Sequence, residues 1–279
     1  MKHFALVTNA HKDEALVLTN KIISYIEEQG GTAVSLISNE EQMLDIADIP
    51  KNTDCIMVLG GDGSLIRTAT KVESLQIPLI GVNLGTLGYL CELEEANVFA
   101  AIDQLMQGKY MMEERLMLTG HLSGDKVERF ALNDIVIHRM GGLSILHLHV
   151  YVNGEFLSSF DVDGMIVATP TGSTGYNMSA GGPIIDPKAK MLLITPINAH
   201  NLNSKSIVLG ADDVVEIEVV DGKRNSDDTI GVSFDADCVG VLKPGERFVI
   251  SKASAVTRIC KLHKKSFLEI LRKKMDTYS

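Results

Sequence analysis

Residues 60–63 read Gly-Gly-Asp-Gly and follow directly on the apolar run Cys55-Ile56-Met57-Val58-Leu59. Glycines let a phosphate approach the backbone without a Cβ in the way. Gly60, Gly61 and Gly63 therefore read as a phosphate turn, with one carboxylate, Asp62, left among them. A carboxylate repels phosphate, so its presence there needs a chemical reason. It could take a proton from a hydroxyl that attacks a phosphoryl group, or hold a metal ion. The plainer reading is a turn in which Asp62 caps the next helix, since Asp is a favoured N-cap. The segment is neither G-x-G-x-x-G nor G-x-x-x-x-G-K-[ST], so it is not the standard dinucleotide fingerprint or a P-loop. Arg67, a little over one helical turn further on, either reaches back to a phosphate or stands as a surface arginine.

Three other segments carry chemistry. Asn83-Leu-Gly-Thr-Leu-Gly-Tyr89 follows an apparent strand and suggests a loop at the same sheet edge, with Tyr89 either flanking a flat ligand ring or packing in the loop. Asp163–Ser179 is dense in hydroxyls and amides (Thr169, Thr171, Ser173, Thr174, Tyr176, Asn177, Ser179) interleaved with Gly172 and Gly175. It suits the edge of a heterocycle or a ribose, although glycine–hydroxyl clusters also occur as plain turns. Asn133-Asp134 sits between apolar neighbours, where polar side chains must be satisfied. The pair either caps a turn or binds a polar ligand such as a vicinal diol.

The elements that position these residues fall into two patterns. His3–Asn9, Thr32–Ile37, Asp54–Leu59 and Pro78–Val82 read as strands. Between and after them lie helical repeats through Ala15, Leu18, Ile22 and Ile26, over Ser64–Val72 and over Ala96–Gln107. Strand and helix in alternation predict a Rossmann-like α/β domain over residues 1–112. Beyond it, Leu146, Leu148, Val150 and Val152 alternate with polar residues and end in Asn153-Gly154, a hairpin signal. Val215, Ile217 and Val219 alternate likewise. Residues 113–260 thus read as an all-β sandwich. Residues 261–279 read as one amphipathic closing helix. The fold class is α/β followed by all-β.

Composition narrows the function. At 279 residues the chain suggests about two domains, at ~100–200 residues each. A formal charge of −10 and a pI near 5.3 argue against nucleic-acid or membrane binding, because phosphate backbones attract Lys and Arg. Cys55, Cys91, Cys238 and Cys260 lack metal or disulfide spacing and read as buried thiols of a reducing compartment. No signal pattern or membrane-length apolar run appears, so the expected location is cytoplasmic. His147 and His149 share a strand face and read as sheet surface ahead of metal ligation. His121, His138, His200 and His263 have no partner spacing. Met111-Met112 reads as core.

Taken in order, Gly60-Gly-Asp-Gly63, Asn83-Leu-Gly-Thr-Leu-Gly88, Leu132-Asn133-Asp134 and Asp163-Gly…Thr169-Pro-Thr-Gly-Ser-Thr174…Ser179-Ala-Gly-Gly-Pro183 resemble the NAD kinases. These enzymes phosphorylate the adenosine 2′-hydroxyl of NAD to make NADP. The first motif alone is shared with phosphofructokinases and with diacylglycerol and sphingosine kinases; the last is far more specific. The resemblance implies that Asp62 is the general base, with Gly63 and its neighbours on phosphates and Arg67 on the dinucleotide. It implies that Tyr89 lines the adenine side and that Asn133 and Asp134 hold the adenosine. Asp163, Thr171, Thr174, Gly175, Tyr176, Asn177 and Ser179 fall on the family's dinucleotide-binding positions. It also implies a homodimer or homotetramer in which a neighbouring subunit completes the NAD site. The expected phosphoryl donor is ATP, another triphosphate or polyphosphate. An acidic site handling a triphosphate must import positive charge, so a divalent ion, Mg²⁺ first, is expected.

The sequence departs from the family pattern at Asp161, where many relatives carry Arg, and at Asp134, where many have Glu. Gly175 replaces a frequent Ala, and Ala236-Asp237 replaces a common Gly-Gln. The alternative functions are a lipid kinase sharing the Gly-Gly-Asp-Gly turn and a non-catalytic dinucleotide-binding protein. A lipid kinase would need an apolar acceptor groove where Thr169–Ser179 offers hydroxyls.

Overall fold

Strands covered on both faces by helices read as continuous apolar runs, and the first part of this chain is built from them. The computed structural model describes residues 1–38, 44–85, 88–91, 93–123, 128–141, 145–200, 205–220, 229–262 and 266–277. Thr86, Leu87 and His263 lie outside the described residues. The chain divides into two compact units, Met1–Arg115 with Ala255–Ser279, and Leu116–Ser254.

In the first unit, β1 (His3–Thr8), β2 (Thr32–Ile37), β3 (Cys55–Gly60), β4 (Leu79–Asn83) and β5 (Leu93–Glu94) pair in parallel in the order β5-β4-β3-β1-β2. Every residue of β3 and β4 is buried. Helix α1 (Val17–Glu28) buries Leu18, Ile22 and Ile26, as their spacing predicts. Helix α2 (Asp62–Lys71) buries Leu65, Thr68 and Ala69, and α3 (Val98–Met106) buries Val98, Ala101, Ile102 and Leu105. From β1 the sheet grows one way to β2 and the other way through β3 to β4, so its order reverses between β1 and β3. Ligands of open α/β sheets bind beyond the strand carboxyl ends at such a reversal. The loop Asn9–Asp13 leaves β1 there, and the glycine turn leaves β3.

The strand β6 (Met111–Leu122) leads into the second unit. There, β7 (Arg129–Ala131) pairs with β6. One antiparallel sheet contains β8 (Asp134–Met140), β11 (Gly164–Ala168), β12 (Met191–Ile197), β13 (Ile207–Gly210), β15 (Thr229–Phe234) and β16 (Asp237–Leu242), in the order β13-β12-β11-β8-β15-β16. The other runs β9 (Leu146–Val152) with β10 (Glu155–Val162) on one side and β14 (Val215–Val219) on the other, followed by the first part of β17 (Arg247–Lys261). Ile135, Ile137, Met165 and Val167 of the first sheet share a core with Leu148, Val150, Val215, Ile217 and Ile250 of the second. This is the expected sandwich. A four-residue helix, α4 (Tyr176–Ser179), interrupts the hydroxyl-rich segment. The closing helix α5 (Phe267–Thr277) groups with the first unit.

Three local expectations are corrected. Helix α2 begins at Asp62, not Ser64, which makes the carboxylate part of its first turn. Met111 and Met112 are 51% and 41% exposed, because burial along β6 sets in only at Arg115. Cys238 is an exposed thiol, while Cys55, Cys91 and Cys260 are buried.

Candidate active site

An Asp at the first position of a helix can cap its own amides, but Asp62 does not. Its carboxylate crosses to the loop beyond β4 and accepts the backbone N–H groups of Tyr89 (2.5 Å), Leu90 (3.1 Å) and Cys91 (3.0 Å). Oδ1 takes Leu90 and Cys91, and Oδ2 takes Tyr89, so Oδ2 keeps lone-pair capacity. The fit is close. A methyl group on Gly88 would fall onto the carboxylate. Burial, and then the negative charge of Asp62 beside it, push the Cys91 thiol well above its ordinary value.

Around that carboxylate the first unit gathers Gly60, Gly61, Gly63 and Arg67. Gly60 cannot carry a side chain, since its Cβ would meet Ser64 Oγ at 2.5 Å. Arg67 folds back toward Gly63, where an added Cβ would lie 3.9 Å from the guanidinium. Tyr89 faces the closing helix. Its ring sits 6.3 Å from that of Phe267, and Lys274 Nζ lies 4.4 Å over it.

In the second unit, Asp235 has a role the sequence did not reveal. Its carboxylate accepts the backbone N–H groups of Leu132 (2.7 Å), Asn133 (2.7 Å) and Asp134 (3.2 Å). It thereby shapes the turn that presents Asn133 and Asp134. Asp134 is buried, and loss of water, with the Asp235 charge second, pushes its carboxyl up to about 7. Burial likewise raises Asp235 to about 6, against the lowering effect of its three amides. Asn133 Oδ1 is buried with no hydrogen-bond partner among the described residues, so its acceptor capacity is unused there. The turn is clasped from the other side by Thr169, whose hydroxyl donates to Leu132 O at 2.7 Å and whose N–H donates to Asn133 O at 2.8 Å. Gly172 packs so closely on Asn133 that a Cβ there would overlap the Asn133 backbone. At Gly175, an added methyl would stand 3.3 Å from Gly172 O, 3.4 Å from Asn133 Nδ2 and 3.9 Å from Asp134 Oδ2, so the frequent Ala would be a tight fit here.

The rest of the hydroxyl-rich segment divides in two. Asn177 is fully buried. Its amide donates to Ser173 O (3.1 Å) and Pro183 O (3.0 Å) and accepts from the Thr195 hydroxyl (2.7 Å). Both of its N–H groups are thus engaged within the loop. Ser173 bridges Pro170 O and Ile185 N in the same way. Thr171 is buried, and the Thr174 hydroxyl donates to Thr171 O at 3.3 Å. Tyr176 and Ser179 are exposed. Asp163 pairs with Arg139 (3.2 Å) and accepts from Asn198 (3.0 Å). His147 pairs with Asp161, 2.6 Å away, and His149 packs edge-on against Phe156. Among the described residues neither histidine joins a group of three His, Cys, Asp or Glu side chains that could hold a metal ion.

Among the described residues no three His, Cys, Asp or Glu side chains converge to hold a metal ion. Mg²⁺ is commonly held by one or two carboxylates together with substrate phosphates. The residues present fit an ion carried in on a triphosphate better than one caged by the chain.

The ATP-NAD kinase N-terminal domain family matches residues 45–110, and the ATP-NAD kinase C-terminal domain family matches residues 132–262. The NAD kinase of Agathobacter rectalis is 62% identical over 283 residues, covering 100% of both chains. The chain belongs to the NAD kinase family.

The NAD kinase of Lachnospira eligens is 39% identical, covering 99% of this chain and 100% of its own. Among solved structures, yeast NADH kinase complexed with NADH superposes with a TM-score of 0.83 at 19% identity, covering 100% of this chain and 89% of that one. An NAD kinase from Archaeoglobus fulgidus in complex with ATP gives 0.76 at 21% identity, covering 96% and 98%. These two structures show that the NAD kinase fold is shared. The lipid-kinase alternative is not favoured by these matches. Both glycine-rich motifs lie inside the matched domains, and so does Asp235, whose acidic side chain no local pattern singled out.

Proposed function

We propose that the chain transfers the γ-phosphoryl group of ATP to the 2′-hydroxyl of the adenosine half of NAD, giving NADP and ADP. Asp62 takes the hydroxyl proton on Oδ2, the oxygen with a single amide partner. As the proton leaves, the sugar oxygen bonds to phosphorus and the bridge between the β- and γ-phosphates breaks, releasing ADP. Positioning and charge neutralisation supply most of the acceleration in such transfers. The three amides from Tyr89 to Cys91 hold the carboxylate in one orientation before substrate arrives.

Asn133, with its unpartnered buried Oδ1, and Asp134 meet the adenosine. Gly175, Thr174, Thr171, Tyr176 and Ser179 line the same approach, and Asn177 holds their loop; Asp163, at the other end of β11 from Asp134, is left to the part of the site that a neighbouring subunit completes. Arg67 and the glycines of the turn meet phosphates, and Tyr89 lines the adenine side. A divalent ion carried in on the triphosphate would neutralise charge on the departing phosphates. Polyphosphate is the alternative donor. Assembly into a homodimer or homotetramer, which light scattering checks, belongs to the same reading, as does a cytoplasmic setting. Among the described residues no helix is long and apolar enough to cross a membrane.

The observation that carries this reading is a turn carboxylate locked by three amides in a chain that aligns end to end with an NAD kinase. The test supplies ATP, Mg²⁺ and NAD and follows NADP with an NADP-specific dehydrogenase. Formation of NADP dependent on all three supports it, and no NADP at any donor overturns it.

A further inference from the structure

We infer that Lys12 is a phosphate-binding residue of the donor site, placed to contact the triphosphate beside Asp62. The inference rests on the reading above that ATP is the phosphoryl donor. Lys12 belongs to no sequence motif, and its loop is held in place by its neighbours. Asn9 N–H donates to Leu59 O at 3.0 Å, tying the end of β1 to β3. Asn9 O accepts the N–H groups of Lys12 (2.9 Å) and Asp13 (3.2 Å), closing a tight turn. Asp13 is buried and accepts from Leu18 N (3.0 Å), Thr19 N (2.8 Å) and the Thr19 hydroxyl (2.6 Å). That hydroxyl contacts Thr8 Oγ1 at 2.8 Å, back on β1. The Lys12 backbone is therefore fixed while its side chain remains exposed.

The side chain points to a particular place. A methyl group on Gly61 would lie 3.1 Å from Lys12 Nζ, and one on Gly85 would lie 3.7 Å away. The ammonium thus lies over two positions without side chains, one just past β3 and one just past β4. The β1 and β3 loops that meet here flank the reversal of strand order, where ligands of this kind of sheet bind. Asp13, next in sequence, is turned inward on its own amides. Among the described residues no carboxylate lies within ion-pair distance of Lys12. A lysine over a glycine surface, in a chain of net charge −10, offers a strongly hydrated point charge to an anion. The anion belongs to the donor because the attacked phosphorus must lie beside the base, and Gly61 adjoins Asp62. The pyrophosphate of NAD is attached at the far side of the ribose from the reacting hydroxyl.

The test titrates MgATP, and separately NAD, into the full chain by calorimetry for wild type, Lys12→Ala and Lys12→Arg. Loss of one charge-assisted phosphate contact predicts MgATP binding weakened about tenfold or more in Lys12→Ala. Lys12→Arg restores most of it, NAD binding moves less than about twofold, and the melting temperature stays unchanged for so exposed a side chain. Wild-type MgATP affinity in Lys12→Ala overturns the inference, and so does a loss confined to NAD. Because binding is read without turnover, the NADP assay judges the proposed reaction separately. A protein that binds MgATP through Lys12 yet makes no NADP would sink the reaction alone.

Discussion

The backbone N–H of Tyr89 donates to the Asp62 carboxylate at 2.5 Å. It ties the loop after β4 to the first turn of α2 and orients the one acidic group in the glycine turn. A residue read from its sequence neighbours as a base or a cap is, in the fold, also the anchor of a second loop.

Replacing Asp62 tests both parts of that role. Asp62→Asn keeps the shape but loses the proton acceptor, so turnover is expected to fall by at least ~100-fold, the lower end of general-base contributions. Asn has one carbonyl oxygen for three amides, so a loss of about 1–3 kcal/mol in unfolding free energy accompanies it. Denaturant unfolding and steady-state kinetics read the two effects, and near wild-type turnover would remove Asp62 from the base role.

Gly88→Ala is a steric test of the same anchor. Its new methyl overlaps the Asp62 carboxylate, so one of the two must move. The expectation is a loss of about 1–3 kcal/mol in stability, read as a lowered melting temperature, together with a fall in kcat because the Asp62 carboxylate is displaced. A fully active, fully stable Gly88→Ala protein would contradict the close approach.

Asp134 and Asp235 make stability depend on pH. Both carboxyls are raised by burial, to about 7 and about 6. The folded chain then holds protons that the unfolded chain releases near the ordinary carboxylate value. The stabilisation is fully present below about 4, declines as pH rises, and is gone above about 7. Asp134→Asn should flatten this slope and raise the unfolding free energy at pH 8, by a few kcal/mol at most. Chemical denaturation at pH 5 and pH 8 checks it. An equal change at the two pH values would show that Asp134 does not titrate in this window.

Asn177→Ala removes three hydrogen bonds and leaves Ser173 O and Pro183 O short of a donor, while the Thr195 hydroxyl keeps Ser206 Oγ at 3.0 Å. A loss of about 1–3 kcal/mol per unsatisfied buried group sets the scale. The KM for NAD should rise more than the KM for ATP, because the loop belongs to the second unit. An unchanged melting temperature would refute the structural part.

Much of this was legible along the chain. The continuous apolar run at Cys55–Leu59 announced a strand buried on both faces, Pro78–Val82 read as the next strand, and strict alternation at Leu146–Val152 announced a half-buried one. The Gly-Gly-Asp-Gly turn and the hydroxyl segment were visible because glycine and hydroxyl chemistry is local. Less visible was which residues those groups bind. Asp62 meets amides 27 to 29 positions away, and Asp235 meets amides 101 to 103 positions away. Asn177 is held by Ser173, Pro183 and Thr195, partners that nothing along the chain announced.

Hydrophobic periodicity and turn composition are properties of neighbouring residues, so the sequence alone determined the strands, the helices, their order and the acidic glycine turn. Hydrogen-bond partners and the reach of Lys12 depend on strand order and on how loops from different strands meet. Only the tertiary structure decided those, because burial leaves each carboxylate and amide no solvent to bind and forces it onto whatever group the packing sets beside it.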